Sequence, residues 1–107
     1  MLKTPSKHER NAMKLAEFFE TLDEDQYDQK HYQGSNGQRC ICGWINYLNA
    51  HMPANRDAAA DYLGINYEQA TSLFASHVYQ YGEPSTKTVA RVLRNLAATG
   101  EVDWGRR

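Results

Sequence analysis

A chain of 107 residues has room for one hydrophobic core and not two, and its 41% apolar and 23% charged residues are those of a globular domain rather than a disordered one. No apolar run approaches the roughly 18 residues of a membrane span, and the polar stretch Met1 to Arg10 lacks the apolar middle of a signal peptide, so the cytoplasm is the expected location. The net charge of -1 hides a segregation along the chain: Lys3, Lys7, Arg10 and Lys14 come first, then Glu17, Glu20, Asp23, Glu24, Asp25 and Asp28, then a stretch from 57 to 86 without Lys or Arg, then Lys87, Arg91, Arg94, Arg106 and Arg107.

Ser6-Lys7-His8-Glu9 has the form of a capping box and predicts a first helix over about 7–22, with Ala12, Leu15, Ala16, Phe19 and Leu22 on one face and Met13 and Phe18 widening it. The acids from Asp23 to Asp28 stand where a helix C-terminus favours positive charge, so the helix is expected to stop there. Tyr27 and Tyr32 are placed to pin the following loop.

The stretch from Gln33 to Leu48 is the hub. Gly34, Ser35, Asn36 and Gly37 are turn formers, after which a helix is expected from Arg39 or Cys40 to about Met52, with Ile41, Trp44, Ile45, Leu48 and Met52 as its buried stripe. Pro53 separates it from a third, alanine-rich helix over about 54–63, with Ala59, Tyr62 and Leu63 inward and Gly64 as its stop. Asn66 and Gln69 form a second capping box, opening a fourth helix to about His77 on Ala70, Leu73 and Phe74. Tyr79 to Pro84 reads as a loop. A last helix over about 86–99 is capped by Ser85 or Thr86, buries Val89, Val92, Leu93, Leu96 and Ala97, and ends at Gly100; Val102 and Trp104 are expected to fold back on it. The expected fold is therefore all-α: a compact orthogonal bundle of about five helices around a central helix 39–52, in a single domain 1–107 whose ends 1–5 and 105–107 are flexible.

Several residues have the chemistry of a site. The corner Ala60 to Ala70 around Gly64 has the spacing of a helix-turn-helix, but phosphate contacts need Lys or Arg and the base-free stretch 57–86 supplies none, so a tight helix corner is favoured over DNA reading. Cys40 near a helix N-terminus, beside Arg39, has the setting of a reactive thiol, with His31, His51 or His77 as its possible base; the simpler reading is a thiol that fills the core. Cys40 and Cys42 with histidines have metal-ligand types without the paired spacing of zinc motifs, so no metal and no cofactor is expected. The acidic surface of Glu20, Asp23, Glu24, Asp25 and Asp28 and the tyrosines Tyr79 and Tyr81 are candidates for contact with another protein. The basic stripe Lys87, Arg91 and Arg94 is the alternative, a contact with nucleic-acid phosphates.

Gln33-Gly34, the helix start Gly37, Cys40 and Gly43, the corner Ala59, Ala60, Leu63 and Gly64, and the final Thr88 and Leu93 resemble the outline of an uncharacterised family of small phage and actinobacterial proteins. The resemblance implies a compact helical domain, acting in the host cytoplasm if phage-encoded, and no activity. The expected role is non-enzymatic: an interaction module for another protein, with a nucleic-acid-binding regulator and a Cys40-centred enzyme as alternatives.

Overall fold

A computed structural model describes residues 6–28, 37–76 and 85–104. The expectations placed on Tyr32, His31, His77, Tyr79, Tyr81, Arg106 and Arg107, and on the two chain ends, lie outside these residues. Among those described the protein is all-α, with five helices and no strand, and its radius of gyration of 13.1 Å is that of a compact domain of this length.

The first helix, α1 (Lys7–Thr21), opens on the predicted box: the Ser6 hydroxyl accepts from the Glu9 amide at 3.1 Å and the Glu9 carboxylate accepts from the Ser6 amide at 2.8 Å. Ala12, Leu15, Ala16 and Phe19 are its buried face. Leu22 is extended, and a single 3-10 turn, Glu24–Gln26, carries the acidic segment onward to buried Tyr27, which forms an isolated parallel bridge with Arg39.

The hub helix, α2 (Ile41–Leu48), starts later and ends earlier than its pattern suggested. Cys40 is its N-cap rather than its first residue: the backbone there is extended and the sulfur accepts from the Gly43 amide at 3.4 Å. Asn49 ends the helix four residues before the expected boundary, because its side-chain amide and its backbone N–H both donate to the Ile45 carbonyl, at 2.8 and 3.1 Å. Ile41, Trp44 and Ile45 are buried as the stripe required, and so are Cys42, Gly43 and Asn46 on the other sides, so this first part of the helix is enclosed all round.

Asn55 caps α3 (Arg56–Leu63), accepting from the Ala58 amide at 2.8 Å. The corner that follows requires glycine twice over: Gly64 has φ +69°, and a Cβ placed on it would lie 2.5 Å from Cγ of His8. Asn66 and Gln69 then form the second predicted box at the start of α4 (Tyr67–Thr71), which runs on into a π-helical turn, Ser72–Ser76, in place of the longer α-helix. Ser85 caps α5 (Thr86–Thr99), which ends on left-handed Gly100 as expected.

The most extensive helix–helix packing is between α1 and α5, the two longest elements, while α2 packs on α3 and on the π turn. Phe19, Leu15, Ile41, Ile45, Leu73, Leu93, Val89 and Val92, all essentially inaccessible, meet in one core. The tail folds back as predicted. Trp104 is buried, its indole N–H donates to the Ser72 carbonyl at 2.9 Å, and its own carbonyl accepts from Nη2 of Arg91 at 2.9 Å. The indole thus takes up a carbonyl at the start of the π turn.

Candidate functional site

The thiols are built into the packing. Cys40 is buried with its sulfur turned to the Gly43 amide, and burial pushes its ionisation upward despite that hydrogen bond. Cys42 is pushed up to about 12, by burial first and then by Cys40, with Arg56 acting weakly the other way. Its sulfur donates at 3.8 Å to the side-chain carbonyl of buried Asn46, whose amide is spent on the carbonyls of Pro53 and Asn55 at 3.2 and 3.4 Å. The amides at a helix N-terminus lower a thiol's ionisation and burial raises it, and here burial is the larger effect. His51 lies on the wall of a cleft of about 390 Å³ with Lys7, His8, Asn11, Asp61 and Tyr62, a cleft that neither cysteine lines. Among the described residues no group of three or more histidines, cysteines and acids is arranged to hold a metal ion.

The acidic and basic stretches, which the sequence offers as two separate surfaces, are partly joined to each other. Arg94 grips Glu20 with both arms of its guanidinium, Nε to Oε2 at 2.8 Å and Nη2 to Oε1 at 2.7 Å. That bond holds the Glu20 carboxyl below the usual range and the arginine above its own. Glu24 reaches across 62 positions of sequence to the start of α5, where its carboxylate accepts from the Thr86 amide at 3.1 Å and from the Thr86 hydroxyl at 2.9 Å. A carboxylate at a helix N-terminus is stabilised by the unpaired amides and dipole there, so Glu24 acts as a cap supplied by a distant segment. Arg91 is committed to the Trp104 carbonyl, while the exposed Lys87 adds its charge to the pull on the Glu20 carboxylate. Asp23 and Asp25 are exposed, and Asp28 is half-buried with its amide on the Arg39 carbonyl at 3.2 Å.

The corner has the packing of a helix-turn-helix without its charge. Ala60 and Ala70 are both buried, and the Ile65 amide closes the turn on the Ala60 carbonyl at 3.1 Å. The second helix is only Tyr67–Thr71 and carries Glu68 with no base. The guanidinium that covers it comes from the preceding helix: Arg56 lies 5.0 Å from the Tyr67 ring centroid and donates to the Thr71 hydroxyl.

One surface was missed by sequence reasoning. Leu48, expected in the buried stripe, is 44% exposed, and its neighbour Tyr47 is 57% exposed. The helix emerges from the core in its last turn, so the periodic pattern continues while, among the described residues, the burial does not. Tyr47 stands edge-on to Trp44 at 5.5 Å, and Trp44 lies 5.0 Å from Phe18 of α1, so a line of rings runs from the interior to this shoulder. Arg39 lies over both outer rings, 4.1 Å from Tyr47 and 5.1 Å from Trp44, an arrangement favoured by the negative face of each ring. The end of the 3-10 turn borders it: the Gln26 carbonyl accepts from the Trp44 indole at 3.0 Å and from the Arg39 amide at 3.1 Å. The signal in the sequence was an arginine just before a helix that carries a tryptophan and a tyrosine three residues apart.

Comparison with known proteins gives no matching family model, no similar curated protein and no similar solved structure. Among the described residues no helix is long and apolar enough to cross a membrane.

Proposed function

We propose that the protein is a non-enzymatic module that binds another protein, through a surface made of Tyr47, Leu48 and Arg39 and the exposed carboxylates Asp23 and Asp25 beside them. The observation that carries this reading is the shoulder itself: two consecutive large side chains exposed in the last turn of α2, the first of them, Tyr47, continuous with buried rings and overlaid by an arginine. Tyrosine, tryptophan and arginine are the residues that dominate binding energy at protein interfaces, and a charged border around an apolar centre is their usual setting. The acidic border favours a basic partner.

Against the enzyme reading stand two neutral, enclosed thiols; against the nucleic-acid reading stands the use of Arg91 and Arg94 inside the chain. The resemblance to small phage and actinobacterial proteins supports a cytoplasmic setting in such a cell. The test is affinity capture from the native cell with the wild-type chain, with Tyr47→Ala, and with Asp23→Asn combined with Asp25→Asn. A protein captured by the wild type and lost from either variant is the expected result, and capture indifferent to all three substitutions rejects the surface.

A further inference from the structure

Helix α1 carries its charges in the order that suits an isolated helix least. Lys7, Arg10, Lys14, Glu17 and Thr21 follow one another at three- and four-residue steps and are all exposed, so they form one stripe on the face turned away from the core. Its cations stand toward the helix N-terminus, where the macrodipole is positive, and its anions, including Glu20 and the segment after it, toward the C-terminus, where the macrodipole is negative. The last turn holds no basic residue, and the one acid of the first turn, Glu9, is spent on the capping box. Arg94 offsets Glu20, but Lys7 and Lys14 have no ion pair among the described residues. Where each local choice normally agrees with the fold, a charge order that opposes the dipole points to a contact outside the monomer.

A rod that is positive in one half and negative in the other is complementary to itself turned end for end. We propose that the basic partner of the surface described above is a second copy of this chain, docked antiparallel along α1 about a two-fold axis that passes between Lys14 and Glu17. This inference rests on the reading of Tyr47 and its acidic border as a contact surface. The axis sets Lys14 of each copy opposite Glu17 of the other, and brings each Lys7 toward the other copy's Asp23 and Asp25. Phe18 lies next to this stripe and touches Trp44, whose ring meets Tyr47, so the Phe18 and Tyr47 rings supply on one side of the axis the apolar area that exposed ion pairs alone do not. Such a contact is isologous and closes at two copies. The net charge of -1 leaves almost no repulsion between them.

Sedimentation equilibrium of the full chain over a range of concentration and salt tests this. The wild type is expected to form a dimer whose dissociation constant rises with ionic strength. Lys14→Glu alone, or Glu17→Lys alone, places like charges opposite each other twice and weakens the dimer by about tenfold or more. The two singly altered chains, mixed, pair opposite charges across the axis again and dimerise. A pairing of Lys14 with Glu17 inside one helix cannot produce that rescue, since neither altered chain regains it. A wild type that stays monomeric throughout, unchanged dimerisation of the single variants, or a mixture no better than its components overturns the proposal. If the monomeric wild type still captures a foreign protein that Tyr47→Ala loses, self-association alone has failed and the surface stands; if it captures none, both fail.

Discussion

The two ends of α2 make the most instructive contrast in the molecule. From Ile41 to Asn46 every residue is buried, whichever side of the helix it faces; Tyr47 and Leu48, in the next turn, are exposed. The buried end holds the groups with the greatest latent reactivity, two thiols and a carboxamide, and spends each of them on internal contacts. The exposed end holds a phenol ring and a leucine, apolar bodies suited to recognition. On the proposed function, one helix separates stability from binding along its length. Substitutions at its two ends should separate the same way, large in stability at the start and small at the end.

The largest effect is expected at Ile45, which is wholly inaccessible and sits among core side chains. Ile45→Ala removes buried methyl groups and leaves a cavity, for a loss of about 2–5 kcal/mol. Chemical denaturation of the variant measures it. A loss below about 1 kcal/mol would mean that the start of α2 collapses to fill the space, and that this end is less rigidly packed than its burial indicates.

The next expectation concerns pH. The folded Cys42 thiol ionises at about 12, and Cys40 is shifted in the same direction, whereas an unfolded cysteine ionises near 8.5. The folded protein therefore keeps protons that the unfolded chain gives up, so this contribution is whole below about pH 8.5 and is lost progressively as pH rises toward 12. Tyr62, whose ionisation burial also raises, adds to the same decline at the alkaline end. Unfolding free energy followed from neutral to alkaline pH should fall, and Cys42→Ala should flatten the fall. Labelling with a thiol reagent should be slow in the native protein and rapid after unfolding. Rapid labelling of native Cys40 would reverse the contrast and return the thiol to the list of functional groups.

What the sequence made legible is what is local. Both capping boxes, the left-handed glycines at 64 and 100, the buried faces of α1 and α5 and the return of Trp104 follow from spacings of a few residues and from the apolar character of the tail. The contacts that decide the candidate site are not local. Glu24 meets Thr86 and Glu20 meets Arg94 across 62 and 74 positions, so acids and bases that look like two surfaces in the sequence neutralise each other in part. Cys40 was legible as the start of a helix but not as its cap, because serine, threonine and asparagine normally take that position. Leu48 was misplaced for a different reason. Periodicity tells which residues share a face, and nothing in it tells where along the helix that face runs out of neighbours.

The smallest change in stability is expected where the largest change in binding is proposed. Tyr47 and Leu48 are half exposed, so truncating either removes little area that folding had taken from water, and surface substitutions of this kind fall within about 0.5 kcal/mol. Leu48→Ser should sit inside that range. Tyr47→Ala should exceed it, at about 1 kcal/mol, because it also forfeits the edge-to-face contact with Trp44 and the ring under the Arg39 guanidinium. Trp44 itself remains held by its indole bond to the Gln26 carbonyl, so the loss is not expected to spread inward. Thermal or chemical denaturation of both variants, set beside their self-association, tests the division directly. Stability near that of the wild type together with a weakened dimer places the shoulder on the binding side of α2. A loss approaching that of Ile45→Ala would make Tyr47 a lid on the core, and the helix would then have one purpose along its whole length.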